Sequence, residues 1–141
     1  LSKTALNWQD FIGTLREIRA KRLFVLADTC HSGGIVGDNS AEGDWLADRL
    51  NKEAHRLVFA SSARDEVSIG KQEWRHGAFT KAILEALQGL ADTDNNASVS
   101  FSELKEYVTS RVEELTQGRQ HPQMPFLDNY EPDEVLAAVK S

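Results

Sequence analysis

Leu23-Phe24-Val25-Leu26-Ala27-Asp28-Thr29-Cys30-His31-Ser32-Gly33-Gly34 is the stretch from which the fold is read. Its first five residues are apolar without alternation, the pattern of a short strand covered on both faces. Gly33 and Gly34 break that pattern, so Asp28 to Ser32 fall where the strand ends. Leu57-Val58-Phe59-Ala60 repeats the apolar pattern and runs into Ser61-Ser62. The stretch between the two runs is long enough for a parallel crossover, which is right-handed in about 98% of cases. In such sheets the ligand crevice lies outside the carboxyl ends of the strands. Cys30 is therefore a candidate nucleophile, and its backbone N–H a candidate oxyanion donor. The plainer alternative is a cysteine serving as a small buried apolar residue.

Helical spacing appears on both sides of these strands. In residues 8–19, Trp8, Phe11, Ile12, Leu15 and Ile18 recur at three- and four-residue steps, which predicts an amphipathic helix. Asp44 is placed to cap a short helix over 44–53. Residues 62–76 read as a long polar loop. Phe79, Ile83, Leu84 and Leu87 predict a helix over 78–90, and Leu104, Val108, Val112 and Leu115 another over Phe101–Thr116. Pro122 and Pro125 impose an extended stretch, and residues 133–140 are expected to close with a short helix. The order is that of an α/β class. Two strands are few against the roughly 5–6 of a typical sheet. The reading is one partial domain over 1–141, its first strands lying on a missing segment or a partner chain.

Composition limits the function classes. The chain has 141 residues, 40% of them apolar and 27% charged, as in ordinary globular proteins. Sixteen basic against 22 acidic residues give a net charge of −6, which argues against a nucleic-acid partner. No uninterrupted apolar run exceeds five residues, far below the roughly 18 of a membrane span, so no membrane is expected either. The single cysteine excludes an internal disulfide and a multi-cysteine zinc site, and suits a reducing compartment. The cytoplasm is the expected location.

Asp28-Thr29-Cys30-His31-Ser32-Gly33-Gly34 behind an apolar strand resembles the nucleophile motif of the metacaspase branch of caspase-like cysteine peptidases. Phe59-Ala60-Ser61-Ser62-Ala63, Gly77-Ala78-Phe79-Thr80 before a helix, and Gln120-His121-Pro122 are similar to later landmarks of that family. The resemblance covers residues 22–125. It implies a three-layer sandwich around a mostly parallel sheet, and an endopeptidase in which Cys30 and a histidine cleave after Arg or Lys through an acyl-enzyme. No cofactor is required. The chemistry needs the histidine, because a thiol with a pKa near 8.5 is only partly ionised at neutral pH. The partner lies roughly 50 residues upstream in caspases. Here 29 residues precede Cys30 and none is His. His31 is adjacent and expected to point away, His55 opens the second strand at its far end, His76-Gly77 imitates the family's His-Gly pair, and His121 sits beside Pro122. The expectation is that the histidine is carried by an N-terminal segment of the same domain, separated by processing or simply outside this sequence, with which this chain pairs.

Asp28 lies two residues before Cys30, on the same face of a strand. A carboxylate at the crevice floor favours a P1 arginine by bidentate pairing, or a lysine as a point charge. The resemblance implies the same role, and a loop-capping aspartate is the alternative. Ser61 and Ser62 are expected to flank the cleft, and Ser68, within Glu66-Val67-Ser68, to offer backbone to an extended peptide. Asp92, Asp94, Asn96 and Glu103 fall in a twelve-residue calcium-loop register, with Ala97 at the position that requires Gly. Ser100 and Glu103 equally form a capping box. Two further readings stay open: a non-catalytic caspase-like module that binds peptides, and a calcium-responsive interaction domain.

Overall fold

The computed structural model describes residues 13–14, 17–20, 23–28, 56–62, 66, 68–72, 76–123 and 133–139. Strand β1 (Leu23–Ala27) and strand β2 (Arg56–Ala60) pair in parallel, with Leu23 opposite Arg56 and Ala27 opposite Ala60. The ladder continues one step, Ser61 N–H donating to the Ala27 carbonyl at 2.8 Å. Parallel pairing aligns the carboxyl ends of both strands, so Asp28 and Ser61 leave the sheet at the same edge.

Helix α1 (Ala78–Glu85) runs into a π-helical turn at Ala86–Leu90. Gly89 kinks that turn from within at φ 109°, and a Cβ there would lie 2.6 Å from Val139 Cγ1. Both conformation and space demand glycine. Strand β3 (Ser98–Ser100) leads into helix α2 (Phe101–Thr116), and strand β4 (Val135–Ala138) returns antiparallel to β3. The register shifts between Val99 and Ser100. The expected closing helix over 133–140 is thus a strand. Five consecutive apolar residues from Val135 give no helical stripe, and the backbone bonds offered by β3 decide the conformation.

The core lies between α1, α2 and β2. Leu104, Val108 and Val112 line one face of α2 with Phe101 and Thr116, all buried. Helix α1 contributes Ala78, Phe79, Ala82 and Ile83, and the π-helical turn adds Ala86. Phe59 of β2 meets Phe79 edge to face, ring centroids 5.0 Å apart. Leu84 and Leu87, expected in this stripe, stay 43% and 40% exposed, because the alanines take the inner face. Of the expected first helix, Gly13, Thr14 and Glu17 are helical while 18–20 are not. The expected helix over 44–53 lies outside the described residues, and the two sheets seen among them are both two-stranded.

Candidate active site

Asp28, half-buried, is the first residue beyond β1. Cys30, with its N–H, lies outside the described residues, as do His31 and His55. The Asp28 carboxylate reaches the N-terminus of α1. Its Oδ2 accepts from Thr80 Oγ1 at 2.5 Å and from Thr80 N–H at 3.3 Å. Gly77, the N-cap of α1, offers no capping side chain, so Asp28 supplies from another element what the helix start lacks. Gly77 also makes room for it, since a Cβ there would meet Oδ2 at 2.8 Å. Asp28 Oδ1 has no hydrogen-bond partner among the described residues.

Ser61 and Ser62 follow β2 and are fully buried. Ser61 Oγ lies 2.6 Å from Ser68 Oγ, and Ser62 Oγ donates to the Glu66 carbonyl at 3.3 Å. These bonds join Glu66 and Ser68 to the end of β2. The Ser61 carbonyl accepts from Gln120 Nε2 at 2.7 Å, while Gln120 Oε1 accepts from Ile69 N–H at 2.7 Å. Gln120 is fully buried, and its amide bridges the two segments. Next to it, His121 N–H donates to Glu66 Oε2 at 2.7 Å, and His121 Nδ1 lies 2.5 Å from Glu66 Oε1. That hydrogen bond raises the imidazole pKa above its ordinary value. His121 is thereby tied to Glu66, and His76 is exposed. Thr80 and Gln120 gained no role from the sequence. The Gly77-Ala78-Phe79-Thr80 and Gln120-His121-Pro122 landmarks include both residues without naming a partner for either; a helix start at Gly77 with no capping side chain is the signal that an acceptor arrives from elsewhere.

A family model described as a caspase domain matches residues 3–130, from before β1 to beyond α2. The chain belongs to the caspase-domain family of cysteine peptidases. Comparisons with curated proteins and with solved structures returned no match. In this caspase domain Asp28 follows β1 and the Ser61–Ser68–Gln120 hydrogen bonds follow β2, both at the carboxyl ends of the paired strands.

The acidic loop lies apart, between α1 and α2. Ligand atoms of Asp92, Asp94 and Glu103 fall within 4.8 Å of one another. Every one of their carboxylate oxygens already accepts from the chain. Asn96 N–H and Ala97 N–H donate to Asp92, and Asn96 N–H and Nδ2 to Asp94. Asn96 Oδ1 accepts from Ser98 N–H at 2.8 Å. Glu103 Oε1 accepts from Thr93 N–H and Oγ1, and Oε2 from Ser100 N–H and Oγ. With Glu103 N–H returning to Ser100 Oγ, the capping box of α2 is complete. These bonds, those from the Ser100 backbone first, lower the Glu103 pKa to about 2. Ala97 takes the turn at φ 62°, a left-handed conformation costly for a residue with a Cβ.

Proposed function

We propose that this caspase domain is an endopeptidase of the metacaspase type that cleaves peptides after Arg or Lys. Cys30 Sγ attacks the scissile carbonyl. A bond from sulfur to carbon forms, and the peptide C–N bond breaks. The histidine takes the thiol proton and passes it to the leaving amine; water then hydrolyses the thioester, releasing the acid and restoring the thiol. The Cys30 N–H holds the developing oxyanion. Asp28 receives the P1 cation, and Ser61, Ser62 and Ser68 build the wall beside it rather than donating to substrate directly. The histidine comes from an N-terminal segment of the domain, joined to or processed from this chain, in the cytoplasm. The observation that supports the reading best is the half-buried Asp28 carboxylate at the crevice end of β1, two residues before the cysteine.

The test is labelling with a peptide that carries an electrophile behind a P1 arginine. Stoichiometric modification at Cys30, lost in Cys30→Ala and slowed at least about tenfold in Asp28→Asn, is the expected result. Turnover retained in purified Cys30→Ala overturns the nucleophile assignment. A folded wild type that neither labels nor cleaves favours the non-catalytic peptide-binding module.

A further inference from the structure

Thr80 gives two donors to one oxygen of Asp28: its hydroxyl at 2.5 Å and its N–H at 3.3 Å both end on Oδ2. A carboxylate oxygen has two lone-pair sites, so Oδ2 is filled from within the fold. The carboxylate packs into the space that Gly77 leaves open, where a Cβ would fall 2.8 Å from Oδ2 and 3.3 Å from Oδ1. The carboxylate cannot turn to exchange its oxygens without giving up the Thr80 bonds. Oδ1, with no hydrogen-bond partner among the described residues, is the acceptor left over.

We infer that Thr80 is a specificity-determining residue of this peptidase: by occupying Oδ2 it makes Asp28 a one-oxygen acceptor and so sets the balance between lysine and arginine at P1. The inference rests on the reading of Asp28 as the P1 carboxylate. A guanidinium gains most when it spans both oxygens with two parallel N–H···O bonds. An ammonium is a point charge, for which one oxygen suffices. With Oδ2 filled, arginine forfeits the fork and lysine loses little. Removing the Thr80 hydroxyl leaves only the long backbone bond on Oδ2 and reopens a site for the second guanidinium N–H.

The experiment measures kcat/KM in the intact protein for two fluorogenic peptides that differ only in Arg or Lys at P1. Thr80→Val is expected to raise the Arg-to-Lys ratio about tenfold, the worth of one charge-assisted hydrogen bond. Thr80→Ser, which keeps the hydroxyl, holds the ratio within about twofold of wild type. Should the valine variant fail to fold, Thr80→Ala removes the same hydroxyl and carries the same expectation. A ratio unchanged in a folded variant without the hydroxyl, or shifted equally by serine, overturns the inference. Asp28→Asn separates the two levels. If it abolishes the preference for basic over neutral P1 while Thr80→Val changes nothing, only the role of Thr80 falls. If it leaves that preference intact, or the wild type cleaves neither peptide, the P1 reading of Asp28 and the inference fall together.

Discussion

Gly77 and Asp28 approach so closely that a Cβ on Gly77 would lie 2.8 Å from Oδ2 of the carboxylate. Gly77 has φ −67°, a conformation open to any residue, so space alone demands glycine here. A free side chain would step aside cheaply, but Thr80 anchors this one with two bonds. Gly77→Ala is therefore expected to cost about 1–3 kcal/mol, as overpacking does, measured by urea denaturation. The clash and the bonds act on the same carboxylate. The double variant Gly77→Ala with Thr80→Val is expected to fall short of the summed losses by at least about 0.5 kcal/mol. Strict additivity would mean that the alanine is accommodated without moving Asp28.

What could be read from the sequence was local. Helix α2 carries its own start in Ser100 and Glu103 and its own stripe in Leu104, Val108 and Val112, and it forms over Phe101–Thr116 as expected. Strands β1 and β2 show as apolar runs bounded by polar residues, and their parallel pairing follows from the length between them. Strand β4 was not legible, because its conformation is decided by a three-residue partner far back in the chain. Leu84 and Leu87 stand out in the helical spacing because leucine outranks alanine in hydrophobicity. Close packing of α1 on α2 selects the small residues instead. At the site, Asp28 and Cys30 stood out by position behind a strand. Thr80 meets Asp28 across 52 residues and Gln120 meets Ser61 across 59, separations at which no periodicity or spacing speaks.

His121 and Glu66 make the segment around Ser68 sensitive to pH. The hydrogen bond that His121 donates to the Glu66 carboxylate raises its folded-state pKa above the ordinary 6.5, with Glu113 adding a smaller pull in the same direction. A raised histidine pKa gives stability that is fully present below the unfolded value and is lost as pH rises through the folded one. Wild-type stability is expected to decline across that window above pH about 6.5, and Glu66→Gln to remove the decline. Because the imidazole is 45% exposed, solvent screening keeps the effect below about 1 kcal/mol. An NMR titration of the imidazole in both proteins checks the cause directly. An identical midpoint with and without the carboxylate would exclude this pair as the source.

Glu103 and Glu85 act at the acid end. Both pKa values are lowered from 4.5 to about 2, Glu103 chiefly by the Ser100 backbone and Glu85 chiefly by the Arg111 side chain. A depressed carboxyl pKa gives stability that is present above the unfolded value and lost as pH falls through the folded one. The wild type is therefore expected to lose stability steadily from pH about 4.5 towards 2. Glu103→Gln should reduce that slope by about one proton's worth and leave the part due to Glu85. Ser100→Ala, which breaks the capping box, should cost about 0.5–2 kcal/mol at neutral pH. Equal acid slopes in wild type and Glu103→Gln would show that Glu103 titrates alike in the folded and unfolded chain, against the lowered folded-state pKa.

Ala97 is the residue at which the acidic loop departs most from ease. It holds φ 62° with a Cβ, is exposed, and donates its N–H to Asp92 Oδ2 at 3.0 Å. Glycine reaches this conformation without steric cost, though it adds freedom to the unfolded chain. The steric relief exceeds the entropy, so Ala97→Gly is expected to stabilise by about 0.5–1 kcal/mol, measured by thermal and urea denaturation. Asn95 at φ 58° provides the control. Asparagine already tolerates the left-handed region, so Asn95→Gly should gain less. If Ala97→Gly loses stability while Asn95→Gly does not, the methyl group of Ala97 contributes packing that outweighs its backbone strain.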